Sequence, residues 1–535
     1  MTCSFQGCTN NKFAPHEECA LHCVKGNYQN DSRKSVLSEF YNLLRIYIAD
    51  FLAAKQASNS HNNQSLFNSS SSPYKRGLGI NFSQIFRDGD LDNDENRNLI
   101  RRTNTNDLIV LHNISFPDRR SKDSFDYFKL LKLFSGIHLL DCHLYIGNWQ
   151  LEDVSFFFQG CMFYNQFDIT PVGMLSNDTN CLFSECDFKD KVRVSPTEIN
   201  SIFEDSLFSG CRFSNLIDLN GVEFKSEPFL ELNDKSFFNT ELRISNCTFE
   251  GVVKLNKVDL SSLWINDTNF LSNFEILNTK VGKFLCINTE MQGVFKAFES
   301  HFSYAKFDRV KFIDVADFEK AEFGEADKTV IASYPVTAIF KFVTFMTASN
   351  FKKVNFYYGL DFENVDLREQ PNFLKSNINP YNTNRETFRI IKYSFDSRGN
   401  TLEANRFFVQ EMKAYKKELN DEGDKWDRLI YRANEEISDF GRSYIKPSVL
   451  LFLSLIIYTS LLSIHESFFE NYNYFLHPWV DCFSVQVNEV AKNLLPFSRF
   501  LEKKSGIEFI SLLFYIWFGI LIWQIIVAVK RHTQR

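Results

Sequence analysis

The sequence has none of the short motifs that mark the commonest catalytic sites. Its 535 residues contain no P-loop, no H-E-x-x-H metal motif, no G-x-S-x-G nucleophile turn and no glycine-rich dinucleotide turn. His138 and His143 lie within a repeat region and are expected at corners or on the surface rather than as catalytic bases. We therefore expect that the protein is not an enzyme.

Positive charge is not in excess either. The formal net charge is -7 and the pI is about 5.9, so the totals give no general attraction to nucleic acid or to anionic lipid. Mimicry of DNA by an acidic surface is also disfavoured, because residues 296–370 hold 12 acidic and 10 basic side chains. We expect no nucleic-acid partner.

The amino terminus lacks a secretory signal. The first residues, MTCSFQGCTNNKFAP, have neither a basic start nor an apolar run, so we expect most of the chain to lie in the cytoplasm. In that reducing compartment the 12 cysteines are expected as metal ligands or as small core residues rather than as disulfides.

Phenylalanine is what the sequence has in abundance, with 58 residues. In AKFDRVKFIDVADFEKAEF, residues 305–323, Phe307 and Phe312 are five apart, and Phe318 and Phe323 are again five apart after a one-residue slip. A helix gives spacings of three and four and a strand gives two, so this interval indicates a repeat architecture. A high phenylalanine content on its own also fits an AT-rich genome.

A small residue precedes most of these large residues by two positions. In the clearer half it is Ala or Ser, as with Ala316 before Phe318, and in the earlier half it is cysteine. The cysteines concerned are Cys142, Cys161, Cys181, Cys186, Cys211 and Cys247. We interpret them as packing residues, because buried cysteine behaves as a small hydrophobic side chain.

A five-residue unit with one large and one small inward side chain suits a coil with one unit on each of four sides. Coils would stack ~4.8 Å apart through strand-like hydrogen bonds, and the phenylalanines would form ladders along the axis. The stretches ADFEK, SNFKK, VNFYY and VDLRE resemble those of pentapeptide-repeat proteins, specifically over 302–370 and more loosely over 140–300. The resemblance implies a mainly β fold, a right-handed quadrilateral β-helix, over residues 107–370.

Helical periodicity flanks the repeat on both sides. Before it, within residues 25–106, SVLSEFYNLLRIYIADFLAAKQ at 35–56 predicts an amphipathic helix and the polar stretch 57–72 predicts a disordered linker. The acidic run 87–97 lacks the closing Glu of a calcium loop and is interpreted as a solvated linker. After the repeat, three apolar stripes predict three helices in a linker over 371–446: Phe388, Ile391 and Phe395; Phe408, Met412, Tyr415 and Leu419; Leu429, Ala433, Ile437 and Phe440.

Two uncharged apolar runs predict a two-helix transmembrane hairpin within residues 447–535. Residues 448–464 and 509–529 measure ~26 and ~32 Å as helices, against the ~30 Å of a bilayer core. Basic residues precede the first run and follow the second, which favours cytoplasmic N- and C-termini. A buried helix of a soluble protein is the alternative for each run.

The carboxyl-terminal third carries a second resemblance. The stretches GNTLEANRFFVQEMKAYKK, SDFGRSYIKP, NLLPF and VAVKRHTQR resemble bacterial pentapeptide-repeat proteins with a two-helix, ion-channel-like membrane domain. The resemblance implies a multi-pass protein of the bacterial inner (plasma) membrane, with antiviral defence against phage among its expected roles. Its expected partners are the lipid membrane, further copies of the chain in a homo-oligomer, and a cytosolic protein trigger.

The polar content of the hairpin suggests where helices would associate. Segment 465–508 is expected either to re-enter the membrane as a pore helix or to lie outside it, and it has no TVGYG-like filter that would favour potassium. An amide facing hydrocarbon is costly unless a helix or water satisfies it, and hydroxyls can bond to their own helix or line a wet path. The candidates for pore lining or helix association are Gln524, Ser454, Thr459, Ser460 and Ser463.

The first 24 residues contain the best candidate for a chemical site. Cys3, Cys8, Cys19 and His22 give C-x4-C-x10-C-x2-H, two ligand pairs whose spacing suits a tetrahedral, structural Zn(II) in a zinc knuckle. His16 and Cys23 remain as competing ligands, and a merely cysteine-rich start is the alternative. A similar start in members of the resembled family favours zinc.

Two functions are compatible with these features. In the first, the cytosolic solenoid is a sensor or assembly platform for an oligomeric, channel-like or membrane-perturbing domain. In the second, the protein is a membrane-anchored protein-binding scaffold without a pore.

Overall fold

The computed structural model describes most of the chain in two compact units. The described residues are 2–25, 30–64, 84, 87, 108–118, 125–149, 154–171, 181–198, 200–325, 336–422, 424–469 and 506–533. One unit comprises Met1–Tyr358 and Asn364–Asn377, and the other Gly359–Glu363 and Ile378–Arg535. Most of the acidic run 87–97, residues 65–72 of the predicted linker and most of the loop 465–508 lie outside the described residues.

Short strands dominate the first unit and helices dominate the second. The strands are β1 (Leu108–His112), β2 (Ser115–Phe116), β3 (Gly136–Leu140), β4 (His143–Leu144), β5 (Ser155–Gln159), β6 (Met162–Phe163), β7 (Phe167–Ile169), β8 (Cys181–Ser184), β9 (Asp187–Phe188), β10 (Val192–Val194), β11 (Ile202–Phe203), β12 (Ser206–Ser209), β13 (Arg212–Phe213), β14 (Ile217–Asn220), β15 (Glu223–Phe224), β16 (Phe229–Leu230), β17 (Phe238–Ser245), β18 (Thr248–Phe249), β19 (Val253–Asn256), β20 (Asp259–Asn266), β21 (Asn269–Phe270), β22 (Phe274–Leu277), β23 (Lys280–Ile287), β24 (Glu290–Met291), β25 (Phe295–Lys296), β26 (His301–Asp308), β27 (Lys311–Phe312), β28 (Ala316–Asp317), β29 (Glu322–Phe323), β30 (Ala338–Phe345), β31 (Ser349–Asn350), β32 (Asn355–Phe356), β33 (Leu360–Leu367) and β34 (Asn377–Ile378). The helices are α1 (Asn30–Gln64), α2 (Phe128–Leu131), α3 (Arg385–Asp396), α4 (Thr401–Glu422), α5 (Lys425–Ser438), α6 (Ile445–Phe469) and α7 (Glu508–Thr533).

Successive coils of the first unit pair in parallel, and the pairs form ladders along the coil axis. Two ladders run β1–β3–β5–β8–β12–β16 and β2–β4–β6–β9–β13. Two others run β7–β10–β14–β17–β20–β23–β26–β30 and β11–β15–β18–β21–β24–β27–β30. The chain therefore winds into a parallel β-solenoid of about ten turns, which confirms the predicted fold class.

Each regular coil contains one residue more than four five-residue units would give. Leu242, Leu263, Phe284 and Ala305 are register partners in consecutive coils, and each lies 21 residues after the one before. Backbone positions with positive φ mark the corners at alternating intervals of 10 and 11 residues: Lys257, Asp267, Asn278, Asn288, Glu299, Arg309 and Lys320. The one-residue slip in the phenylalanine spacing is thus a regular feature of every coil.

The residue that follows a corner is small and buried. This position holds Cys142, Cys161, Cys186, Cys211 and Cys247 in the earlier coils, and Thr268, Thr279, Thr289 and Ser300 in later ones. Each side chain donates a hydrogen bond to the carbonyl oxygen two residues before it. Cys181 is buried on β8. The six cysteines predicted as packing residues therefore lie in the core.

Phenylalanine ladders fill the inside of the solenoid, as predicted. Phe158, Phe183, Phe208 and Phe229 stack on consecutive coils, with ring centroids 5.0, 5.4 and 5.7 Å apart. Nearer the end, Phe318 stacks on Phe351 at 4.8 Å, and the ladder continues beyond it. These separations match the ~4.8 Å between neighbouring strands, because each coil contributes one ring to a ladder.

Helix α1 packs against the first coils. Its buried positions recur at helical spacing: Val36, Leu37, Phe40, Leu44, Ile48, Ala49 and Leu52. The Phe40 ring lies 5.7 Å from the Phe116 ring of β2 and 5.2 Å from that of Tyr127, next to α2. The helix ends at Gln64, so residues 57–64 are helical rather than disordered, since no Gly or Pro stops the helix there.

The second unit contains the three helices predicted for the linker and the two apolar helices. Asn384 caps α3, because its side-chain oxygen accepts a hydrogen bond of 2.8 Å from Thr387 N. The predicted stripes fall on α3, α4 and α5, except that Phe440 lies beyond the end of α5. Leu429 and Ala433 of the third stripe are exposed, so the prediction of a buried face on α5 is wrong for the single chain.

Candidate metal centre and membrane hairpin

Two short turns bring the four predicted metal ligands together. Cys3 and Cys8 lie in a loop that is closed by a backbone hydrogen bond of 2.8 Å from Cys3 N to Asn10 O. Cys19 and His22 lie in a second turn, in which His22 N donates to Cys19 O at 3.0 Å. Each turn therefore presents one pair of ligands, as the spacing predicted.

The distances between the ligand atoms suit a tetrahedral metal ion. The thiol sulfurs and the His22 ring nitrogen of the group all lie within 4.8 Å of one another. Cys8 Sγ is 3.8 Å from Cys19 Sγ, Cys3 Sγ is 3.6 Å from His22 Nδ1, and Cys19 Sγ is 3.3 Å from His22 Nδ1. A tetrahedron with metal–sulfur bonds of ~2.3 Å and metal–nitrogen bonds of ~2.0 Å has edges of about the same length.

The protonation states of the ligands also favour a cation. Burial lowers the pKa of His22 to about 4, with a smaller effect from Lys25, so the imidazole is neutral at pH 7 and its lone pair can coordinate. Burial raises the pKa of the Cys8 thiol to about 11, so this thiol ionises at neutral pH only beside a positive charge. Burial acts in the same direction on Cys3, but hydrogen bonds, including one of 3.1 Å from Cys19 N, outweigh it and lower the pKa.

The candidate metal centre is joined to the first coil of the solenoid. Ser115 of β2 donates from N to Leu21 O at 2.7 Å and from Oγ to His22 O at 3.1 Å. The Phe5 ring stacks on the His22 imidazole with a centroid separation of 4.1 Å. A metal here would therefore fix the turns that hold the chain's start against β2.

The two residues weighed as competing ligands lie outside the ligand group. Cys23 is buried and His16 stacks on Phe13, and the described residues that form the group are the four predicted ones. Buried Lys25 donates to the carbonyl oxygens of Cys23 and Leu21 at 2.9 and 3.5 Å. Its ammonium group adds positive charge close to the thiols, which sequence spacing did not indicate.

Helices α6 and α7 are both long and apolar enough to cross a membrane. They pack against each other through Tyr458, whose ring contacts those of Phe514 at 4.9 Å and Phe518 at 5.9 Å. The Tyr458 hydroxyl also hydrogen-bonds to Ser511 Oγ at 3.1 Å. A buried tyrosine thus finds its polar partner on the facing helix.

The remaining surface of the two helices is apolar and unburied. Of the most apolar window, 11% is buried in α6 and 17% in α7. Core helices of soluble proteins are mostly buried, so these two differ from the alternative of buried soluble helices. The exposed side chains include Phe452, Ile456, Leu513, Ile520 and Trp523.

The structure satisfies the predicted polar residues of the hairpin within the chain. Gln524 Oε1 accepts a hydrogen bond of 2.8 Å from Ser438 Oγ, at the end of α5. The hydroxyls of Ser454, Thr459, Ser460 and Ser463 donate to carbonyl oxygens of their own helix. Ser454 is buried, whereas Thr459, Ser460 and Ser463 are exposed and lie within one turn on α6.

The carboxyl-terminal end of α7 is held by the neighbouring helices. Arg531 donates from Nη1 to Phe440 O, and its guanidinium lies 4.5 Å from the centre of the Phe408 ring. Asn405 of α4 donates to Arg531 O at 3.1 Å. Gly441, with φ +76°, lies so close that an added Cβ would be 3.0 Å from Arg531 Nη1. These contacts join the predicted linker helices and α7 into one body.

Sequence reasoning did not find Ser438, Ser511 or Arg531 as contact residues. Ser438 and Ser511 carry no motif, and their partners are 86 and 53 residues away. Arg531 was visible only as one of the basic residues after an apolar run. The pairing of a polar residue in one apolar run with one in the other is the signal that could have indicated Tyr458 and Ser511.

No family model, no curated protein and no solved structure matches the chain.

Proposed function

We propose that the chain is an integral protein of the bacterial inner membrane, with its N- and C-termini in the cytoplasm. In this proposal α6 and α7 span the bilayer, and the solenoid is a sensor or assembly platform for an oligomeric, channel-like or membrane-perturbing domain. The resemblance to pentapeptide-repeat proteins with ion-channel-like domains supports the proposal, and with it a role in defence against phage that a cytosolic protein would trigger.

The exposed apolar surface of α6 and α7 is the observation that carries this proposal. Soluble proteins rarely leave such large contiguous apolar patches in water, whereas a bilayer or further copies of the hairpin would cover them. Two helices cannot enclose a pore, so a channel requires several copies. Thr459, Ser460 and Ser463 give the exposed side of α6 a polar stripe suited to helix association, because their hydroxyls are already bonded to the backbone.

Helix α5 supports assembly independently of the spans. Trp426, Leu429 and Ile430 are 70%, 56% and 60% exposed, although they lie on a helix with a strongly apolar side. Exposed aromatic and aliphatic side chains of this kind are typical of interfaces between proteins. The alternative function, an anchored scaffold without a pore, would use the same surface for a different protein.

Oligomer mass and cross-linking separate the two functions. We expect the full chain, purified in detergent, to have a mass of several copies, and Thr459→Cys to cross-link between copies in membranes. The matched control is Ser511→Cys, which faces Tyr458 within the hairpin and should not cross-link between copies. A monomeric mass without cross-linking at position 459 would leave only the scaffold.

We also propose that the metal bound by Cys3, Cys8, Cys19 and His22 is Zn(II) with a structural role. Three thiolates and one imidazole in a tetrahedral group are a donor set that zinc favours. All four positions are filled by the protein, so no open position remains for a substrate. The ion would supply folding free energy to the turns that contact β2.

A further inference from the structure

A cavity of about 210 Å³ lies beside the carboxyl-terminal end of α7. Its basic lining comes from three helical segments: Arg406 of α4, Arg442 in the turn before α6, and Arg531 with His532 in the last turn of α7. One acidic residue, Glu403, lines it as well, and lies 3.6 Å from Arg406 in an ion pair. Arg442 and Arg531 therefore leave an excess of positive charge in the cavity.

The two remaining guanidinium groups are differently held. Arg531 is fixed by its bond to Phe440 O and by the Phe408 ring, but neither contact neutralises its charge. Arg442 is exposed and, among the described residues, forms no ion pair with a carboxylate. A rigid and a mobile guanidinium on opposite walls are suited to an anion that accepts several hydrogen bonds.

The cavity lies at the depth of a lipid headgroup if the hairpin spans the membrane. Arg531 comes two residues after Val529, where the uncharged run of α7 ends, and Arg442 comes three residues before Ile445, where α6 begins. A neighbouring cavity of about 370 Å³ shares Arg442 and His532 and is also lined by Tyr444 and Ile445. Both of these side chains are exposed, so apolar surface adjoins the basic wall.

We propose that this cavity binds the phosphate group of an anionic phospholipid. The guanidinium groups of Arg442 and Arg531 would donate to the phosphate oxygens, while the glycerol and acyl chains would follow Tyr444 and Ile445 toward the hairpin. Phosphate is the shared chemistry of a lipid headgroup and a free anion, and the adjoining apolar surface favours the lipid. The inference rests on the membrane hairpin of the proposed function.

Native mass spectrometry of the full chain in detergent tests the site. The delipidated protein is titrated with phosphatidylglycerol, with phosphatidylcholine and, separately, with inorganic phosphate. We expect phosphatidylglycerol adducts in clear excess over phosphatidylcholine adducts, and we expect Arg442→Gln to weaken phosphatidylglycerol binding by about fivefold or more. The matched control is Lys530→Gln, which removes the same charge from an exposed residue that does not line the cavity.

The outcomes separate the possible sources of the anion. Equal effects of the two substitutions, or equal binding of the two lipids, would overturn the site. Saturation by inorganic phosphate with no preference for phosphatidylglycerol would uphold a phosphate site and overturn its assignment to lipid. Flotation of the wild type with pure phosphatidylcholine vesicles tests the membrane hairpin by itself, so failure of the proposed function is recognised separately.

Discussion

At the corners of the solenoid, cysteine, threonine and serine are equivalent residues. Cys211 Sγ donates to Ser209 O and to Phe183 O in the preceding coil, and Ser300 Oγ donates to the corresponding oxygens of Phe298 and Ile276. The corner needs a small side chain with one donor, because a carbonyl oxygen of its own coil and one of the preceding coil both point at it. Thiol chemistry has no part in this arrangement.

Replacement of Cys211 tests that equivalence. We expect Cys211→Thr to change the free energy of unfolding by no more than ~1 kcal/mol, because the hydroxyl donates to the same oxygens and the volume is similar. Cys211→Leu should cost about 1–3 kcal/mol, since a filled corner has no room for the larger side chain. Thermal unfolding of both variants measures the difference. Equal loss in both would mean that the sulfur itself matters.

The inward ladder positions should tolerate no charge. Phe318 is fully buried and stacks on Phe351, so Phe318→Asp should bury an unpaired carboxylate at a cost of more than ~3 kcal/mol. The matched control is Phe342→Asp, because Phe342 is 53% exposed and has φ +54°, a conformation that Asp adopts more readily. Limited proteolysis should show local unfolding in the first variant only. Wild-type resistance of Phe318→Asp would contradict the observed register.

The candidate metal centre predicts a stoichiometry and a consequence of losing the metal. The purified chain should carry about one equivalent of zinc, and Cys8→Ser combined with Cys19→Ser should remove it and lower the melting temperature. Cys23→Ser is the control, because Cys23 is buried nearby but lies outside the ligand group. Elemental analysis of protein prepared without chelator gives the readout. Metal-free wild-type protein, or zinc retained by the double variant, would contradict the assignment.

At the scale of elements, the contact between α5 and α7 couples the linker helices to the hairpin. Ser438 Oγ donates to Gln524 Oε1 at 2.8 Å and accepts from Gly441 N at 2.9 Å. The turn after α5 has three consecutive positive φ values, at Asp439, Phe440 and Gly441. This turn folds the chain back under α7, so a shift of α5 would be transmitted to the end of a membrane helix.

A double-mutant cycle measures this coupling. We expect Ser438→Ala and Gln524→Leu, tested singly and together in detergent, to show an interaction free energy of about 0.5–2 kcal/mol. The physical reason is that either substitution alone leaves the other polar group without its partner. Ser460→Ala is the control, because its hydroxyl bonds only to its own helix. Additive effects of the two substitutions would show that the pair does not couple the helices.

The elements could be predicted where one period or one spacing determined them. The phenylalanine interval predicted the solenoid, the apolar stripes predicted α3 and α4, and ligand spacing predicted the four-residue group. The extra residue of each coil was visible as a slip but had no meaning without the corner conformation, which residues as different as Asn278, Glu299 and Lys320 adopt. Contacts such as Ser438 with Gln524 depend on tertiary packing and left no local pattern.

At the scale of the whole molecule, the solenoid is a stack in which each coil contacts mainly its neighbours. Stability should then be close to a sum of coil and interface contributions, and a coil could be removed without loss of the rest. This differs from a globular core, in which removal of any segment exposes all of the others. The condition is that the deletion returns every later residue to the same side of the coil.

Deletions of 21 and of 20 residues test this condition. Removal of 258–278 joins Lys257 to Thr279, so one corner residue is followed directly by the small residue of the next coil and all four ladders keep their register. Removal of 258–277 deletes one residue fewer and joins Lys257 to Asn278, which shifts every later side chain by one position and turns inward residues outward. We expect the first variant to unfold cooperatively with a modestly lower melting temperature, and the second to lose protease resistance beyond the junction. Similar behaviour of the two deletions would contradict the 21-residue coil, whatever the number of turns.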